Sequence, residues 1–465
     1  MKTLSAVRMS GREVLPLIEG GKGISATNGI SSGSWAAAGG IGTVSAVNAD
    51  SYDENGVRIP QFYRGKTRQD RHEELVAYGI AGGIAQLQKA HEVSGGHGAL
   101  HINVLWEMGG AERILEGVLE GTKGLVHGVT CGAGMPYRVS EIAGRYNLFY
   151  YPIVSSARAF RALWLRSFNK TRELLGGVVY EDPWRAGGHN GLSNSEDPLV
   201  PEDPYPRVMA LRQQMREYGL GETPIIMAGG VWWLSEWQDW IDNPELGPIA
   251  FQFGTRPLLT KESPIPQSWK DRLLTVRKGD VALNKFSPTG FYSSAVLNPF
   301  LKKLYERSER QIPYVTESRD GFTQTFKTGP VGNPIYILPD DLSKAEGWMQ
   351  AGLTKALRTP DSTLIFVTPE EAREIQVDQT NCMGCLSQCQ FSNWSQGESG
   401  TTGRMADPRS FCIQKSLQNV AHEGDIDNYL MFAGHNCYRF GEDPFYAGAA
   451  IPIVKQLVDR ILTGQ

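Results

Sequence analysis

Three groups of residues in this 465-residue chain have types and spacings that do chemistry. The first centres on His189, in Ala186-Gly-Gly-His-Asn-Gly191, just after an apolar run over 175–180 that reads as a strand. Imidazole is the one side chain that titrates near neutral pH unperturbed, and Gly187 and Gly188 let a substrate or cofactor approach the backbone closely. A second Gly-Gly-His, at 95–97, precedes a strand instead of following one, so His97 is expected to be structural. The second group is a pair of glycine loops, Gly229-Gly230 after the apolar run 224–228 and Gly254-Thr255 after 249–253. Backbone N–H groups in such loops bind phosphate when they follow the last two strands of a barrel. The third is Cys382-Met-Gly-Cys385-Leu-Ser-Gln-Cys389 with Cys412 further on. This spacing puts three thiolates within one tight turn, which suits a [4Fe–4S] cluster with a distant fourth ligand. Zinc usually takes two C-x2-C knuckles, and only one is present. Zinc and unmetallated thiols stay open as alternatives, and spacing places neither Cys131 nor Cys437 in a cluster.

The elements that must position these groups are eight short apolar or β-branched runs, at 14–20, 41–46, 100–106, 125–131, 149–156, 177–181, 224–230 and 249–255. Most gaps between them carry apolar residues at three- and four-residue spacing, as at 71–81, 110–119, 157–164 and 206–215. Apolar strands alternating with helices mean a parallel sheet covered on both faces. Eight units in about 255 residues fit an α/β (β/α)8 TIM barrel better than an open doubly wound sheet. By this count His189 and both glycine loops lie at the C-terminal face, where barrel sites are built. The long loops 47–70 and 182–205 rise from the same face as candidate lids. The expected organisation is a barrel over 1–275 and a C-terminal extension over 276–465 that carries the cysteines. Residues 276–345 are rich in Pro, Gly and aromatics, with one clear helix near 299–307.

Composition narrows the function class. Hydrophobic residues make up 41% and charged residues 21%, as in a globular enzyme. A formal net charge of −4 with no basic stripe gives no footprint for nucleic acid. No apolar run is long enough for a signal peptide or a membrane span, so a cytoplasmic protein that engages no membrane is expected. In a reducing compartment, four of six cysteines within the 31 residues from Cys382 to Cys412 point to metal or redox chemistry before disulfides.

Gly39-Gly-Ile-Gly42, Asn103 in His-Ile-Asn-Val, 186–191, 227–230 and 252–260 together resemble the nitronate monooxygenase family, formerly 2-nitropropane dioxygenase, which includes related flavin-dependent enoyl reductases. The resemblance spans about residues 14 to 275 and implies an FMN-binding (β/α)8 barrel. It implies that Gly229, Gly230, Gly254 and Thr255 hold the FMN phosphate and that Asn103 bonds the flavin. It also implies that the turn with Gly39 and Gly40 lines the isoalloxazine and that His189 is the catalytic acid/base. Lys22 stands where family members more often carry an uncharged residue, and is expected near the flavin N1–C2 edge. Trp184 and Arg185 are candidates to recognise a larger anionic substrate, and Trp232-Trp233 to pack between helices. The activity implied is oxidation of alkyl nitronates with O2. The alternatives are an NAD(P)H-dependent reductase of an enoyl or quinone substrate and, outside catalysis, a barrel kept as a binding module. A small-molecule substrate with O2 or NAD(P)H is the partner set expected, and a homo-oligomer is left open. The cysteine run resembles the one that follows the FMN barrel in old-yellow-enzyme-like dienoyl-CoA reductases, where the fourth cysteine lies closer.

Overall fold

The computed structural model describes residues 4–328 and 334–464. Eight parallel strands close on themselves: β1 (Leu17–Glu19), β2 (Ile41–Ser45), β3 (Ala99–Leu105), β4 (Gly128–Gly132), β5 (Phe149–Val154), β6 (Val178–Glu181), β7 (Ile225–Ala228) and β8 (Ile249–Phe253), each beside its predecessor and β8 beside β1. Side chains alternate across a strand, so each apolar run feeds two cores. Ile18, Ile41, Val179, Ile226 and Ala250 fill the barrel interior. Their neighbours Leu17, Val44, Val178, Ile225 and Phe251 pack outward against the helices. Those helices are α1 (Gly29–Ala37), α2 (Arg68–Ser94), α3 (Ala111–Gly121), α4 (Val139–Arg145), α5 (Ala157–Arg166) and α6 (Pro204–Glu217). An N-terminal hairpin, Val7–Met9 paired with Arg12–Val14, closes the bottom, and its Met9 and Val14 join the interior core. The long α2 is bounded by its own sequence. Thr67 and Asp70 cap each other's backbone N–H at its start, and Gly95 takes the left-handed conformation at its end.

After β7 a short 3-10 turn, Leu234–Trp237, stands in place of a full helix; after β8 come a similar turn, Arg256–Leu259, and α7 (Gln267–Leu274). The chain beyond residue 275 then returns to the barrel twice. First, β9 (Val281–Asn284) and β10 (Ser293–Val296) form a hairpin whose second strand pairs antiparallel with Gly188–His189. Second, the terminal helix Val454–Thr463 packs on α1 and buries Val454, Leu457, Val458 and Ile461 in the outer barrel core. Between these returns, α8 (Pro299–Glu309) leads to a small module. Its strands Gln311–Pro313, Lys355–Arg358 and Thr363–Val367 and helix α9 (Pro339–Gln350) enclose a separate core that includes Ile312, Ile337, Leu364 and Phe366. From there α10 (Pro369–Thr380) leads into the cysteine segment, which ends in α11 (Ile413–His422); the terminal helix is α12. Among the described residues no helix is long and apolar enough to cross a membrane.

Candidate active site

A cleft of about 250 Å³ opens at the C-terminal ends of the strands. Its floor comes from the turn after β1, from Asn103 on β3 and from Glu181 on β6; its walls come from both glycine loops, His189 and the C-terminal segment around Phe432. The glycine loops make one side. Gly229 and Gly230 hold φ of 90° and 80°, which favours glycine. A Cβ on Gly230 would stand 2.8 Å from Cδ of Arg185, whereas one on Gly254 would meet nothing within 4 Å and would fill the cradle itself. The N–H groups of Gly229, Gly230, Gly254 and Thr255 find no acceptor among the described residues. The C-terminal segment braces the same loops: Thr255 Oγ1 accepts from Gly434 N at 2.9 Å, and Asn436 Nδ2 donates to the Gly230 carbonyl at 2.6 Å. Arg256 is buried between Trp232 and Trp233, 4.6 Å from each ring centroid, and Trp232 also packs among helices, in one core with Trp269 and Leu273 of α7 and Val420 of α11. Four free donors around an open concavity at the ends of β7 and β8 fit the phosphate of FMN.

The turn after β1 lies directly on Asn103. A Cβ on Gly21 would come 2.4 Å from Cβ of Asn103, so this approach requires glycine. Asn103 is buried, with Nδ2 donating to the Thr130 carbonyl at 3.4 Å. Lys22 lines the cleft, its Nζ donating to Glu19 at 3.2 Å and to the Gly20 carbonyl at 3.0 Å. Glu19 keeps a second buried oxygen, Oε2, with no partner among the described residues. Gly39 and Gly40 are elsewhere, and the expectation that they line the isoalloxazine is corrected. They stand between α1 and β2, where their carbonyls accept from Leu15 and Ala99 at the opposite end of the barrel. The physical reason is direction: each helix of a βα unit carries the chain back to the N-terminal face, so a turn that precedes a strand cannot reach the cleft. For the same reason His97 is an exposed turn residue far from the site.

His189 faces the cleft, half-buried. Its Nε2 meets Ser287 Oγ at 2.5 Å, Ser287 in turn meets Thr289 Oγ1 at 2.9 Å, and the Phe432 ring packs edge-on at 5.1 Å between centroids. Among the described residues no carboxylate pairs with the imidazole. Burial lowers its pKa to about 4, which keeps the ring neutral. Glu181, unremarked in the sequence, ends β6 on the same cleft. Burial, reinforced by the neighbouring charge of Asp182, pushes its carboxyl up to about 8. The signal that finds it is positional: a charged residue at the C-terminal end of an otherwise apolar barrel strand. Arg185 lines the cleft and pairs with Asp182 at 3.2 Å. Trp184 is buried, its Nε1 donating to the Asp197 carbonyl at 2.9 Å, so it anchors the 182–205 loop and is not among the residues that line the cleft. Cys382, Cys385, Cys389 and Cys412 gather around a second, small cavity behind the cleft, whereas Cys131 is sealed in the barrel core and Cys437 among residues beside the cleft.

No family model and no curated protein matches the sequence. Among solved structures, FabK from Thermotoga maritima matches at a TM-score of 0.52 and 16% identity, over 96% of this chain and 91% of that one. The enoyl reductase domain of MlnA, from the macrolactin biosynthesis cluster of Bacillus amyloliquefaciens, matches at a TM-score of 0.51 and 11% identity, over 96% and 93%. Likeness at such identities shows a shared fold, the (β/α)8 barrel.

Proposed function

We propose that the protein is an FMN-dependent oxidoreductase that reduces an activated carbon–carbon double bond, with Glu181 and His189 managing the proton. The observation that carries this reading is the pairing, on one cleft, of two glycine loops shaped to cradle a phosphate with a carboxyl held neutral up to about pH 8. Reduction of an enoyl substrate consumes a proton as well as a hydride, and a carboxyl protonated at neutral pH is a source for it. FMN seated with its phosphate on Gly229, Gly230, Gly254 and Thr255 would supply the hydride chemistry. The chain supplies the rest. Leu258, Ile265, Leu417 and Val420 give the cleft an apolar side that excludes water and suits an acyl chain. Ser287 and Phe432 fix the His189 ring. A neutral imidazole there donates a hydrogen bond to a carbonyl oxygen that gains charge. The enoyl reductase domain among the structural neighbours supports the same substrate class.

A second reading, oxidation of an alkyl nitronate with O2, is favoured by the order of the motifs at 186–191, 227–230 and 252–260. In that reading His189 acts at the substrate carbon and Glu181 has no proton to deliver. Purified protein is expected to be yellow and to release FMN on heating. Under anaerobic mixing, NADPH should bleach the flavin and a short enoyl thioester should restore its colour. Bleaching by a nitronate and not by NADPH would replace the first reading with the second. A colourless protein that takes up no added FMN overturns both and leaves the barrel as a binding module.

A further inference from the structure

Among the described residues six cysteines are free, and four of them, three close together in sequence and Cys412 further on, line one small cavity together with Met383, Phe391 and Ile413. We propose that Cys382, Cys385, Cys389 and Cys412 ligate a [4Fe–4S] cluster seated against the wall of the cleft. Spacing alone leaves Cys412 remote, with 22 residues between it and Cys389. The fold removes that difficulty by placing Cys412 at the start of α11, facing the loop that carries the other three.

Polar donors lie around the sulfurs. Gly384 N and Ser392 Oγ reach Cys382 Sγ at 3.4 and 3.1 Å. The N–H of Gln414 is directed at Cys385, those of Phe391 and Ser392 at Cys389, and that of Lys415 at Cys412. Gln414 and Lys415 belong to the first turn of α11, whose N–H groups have no partner inside the helix and carry its positive end. Donors around sulfur stabilise thiolates, and metal ligation is what makes a thiolate of a buried cysteine.

The scaffold is rigid and belongs to the barrel. Gly384 holds φ of 66°, and a Cβ there would stand 2.7 Å from the Trp394 ring. The Gly384 carbonyl meets His72 Nδ1 at 2.9 Å, Arg71 Nε donates to the Cys382 carbonyl at 3.1 Å, and Gly109 N donates to that of Cys385 at 3.0 Å. Cys385, Ile413 and Gln414 line both this cavity and the cleft, so the two spaces share a wall. Among the described residues no group of three or more His, Cys, Asp or Glu is arranged to hold a metal ion. Tetrahedral zinc would need four sulfurs to converge on one centre at about 2.3 Å. A cluster binds thiolates at separate corners and takes sulfurs that border a common space.

The test is metal analysis of the full chain after anaerobic reconstitution with ferrous iron and sulfide, read on protein stripped of flavin so that it stands apart from the FMN reading. About four irons and four sulfides per chain are expected, with a broad visible shoulder and a paramagnetic signal after reduction by dithionite. Cys385→Ser and Cys412→Ser should each drop iron below about one per chain, while Cys131→Ala, outside the site, keeps it. Circular dichroism of each variant separates loss of ligation from loss of fold. If a serine variant does not fold, wild-type protein pretreated with a thiol alkylator, still folded but refusing iron, stands in for it. One tightly held zinc with no iron uptake, or full iron in a folded Cys412→Ser variant, overturns the proposal.

Discussion

His189 and Glu181 share a cleft, yet burial moves them in opposite directions, because it disfavours whichever form is charged. At neutral pH the imidazole is therefore unprotonated and the carboxyl protonated. Replacing His189 by Ala should leave FMN bound while turnover falls by about two to four orders of magnitude, the usual worth of a proton-transfer group. A His189→Ala variant at wild-type rate would remove this residue from the mechanism. Glu181 makes a sharper test, through pH. If it is the proton source, kcat should fall as pH rises through about 8, and Glu181→Gln should lose both that limb and most of the rate. Stability carries an independent sign. Between the ordinary carboxylate range and about pH 8 the folded chain keeps a proton that the unfolded chain releases, so stability declines as pH rises across that window. Glu181→Gln should flatten the decline in a thermal-melting series from pH 5 to 8. His189 was legible in the sequence because glycines isolate it after a strand, whereas Glu181 was not, because a carboxyl gains its meaning only from the apolar surroundings that folding gives it.

The glycine loops show the same division at the level of elements. Gly229-Gly230 and Gly254-Thr255 were readable because a local turn at a counted strand end is a short-range property. Gly39 and Gly40 were misplaced because an equally glycine-rich turn changes faces with the direction of the chain, and only the closed barrel fixes that. The support that Ser287, Phe432 and Gly434 give to His189 and Thr255 comes from segments about 100 to 245 residues away, beyond the reach of any periodicity. Gly254 offers a clean test, since space around its Cβ lets the fold accept a side chain there. Gly254→Asp should fold and melt like the parent but bind FMN at least about tenfold more weakly, a cost of roughly 1.4 kcal/mol from a carboxylate set against a phosphate. Fluorescence titration with FMN measures this directly; unchanged affinity would move the phosphate elsewhere. The 47–70 loop is likewise held from afar. His422 on α11 bonds Asp50 at 2.8 Å and Arg58 at 2.7 Å, so His422→Ala should speed limited proteolysis within 47–70 while leaving the barrel's melting little changed.

At the scale of the whole molecule, the eight strands and their order could be counted from the sequence, but the role of the last 190 residues could not. Their apolar pattern shows that they fold; it does not show on what. In the structure they supply a β-hairpin beside His189, a brace for the glycine loops and the helix α12 that covers α1. The last of these makes the barrel dependent on the chain's far end. Val454, Leu457, Val458 and Ile461 are essentially fully buried there. At about 1.5–3 kcal/mol for each buried side chain, removing them costs on the order of 6–12 kcal/mol, comparable with the roughly 5–15 kcal/mol that holds a native domain together. A chain ended at residue 450 should therefore be insoluble or bind the dye ANS strongly, even though every glycine loop and His189 remain. Leu457→Ala in the full chain is the graded version, expected to cost about 2–5 kcal/mol by leaving a cavity against α1. If the chain ended at 450 stays soluble and melts like the parent, α12 is dispensable and the barrel closes its outer ring without it.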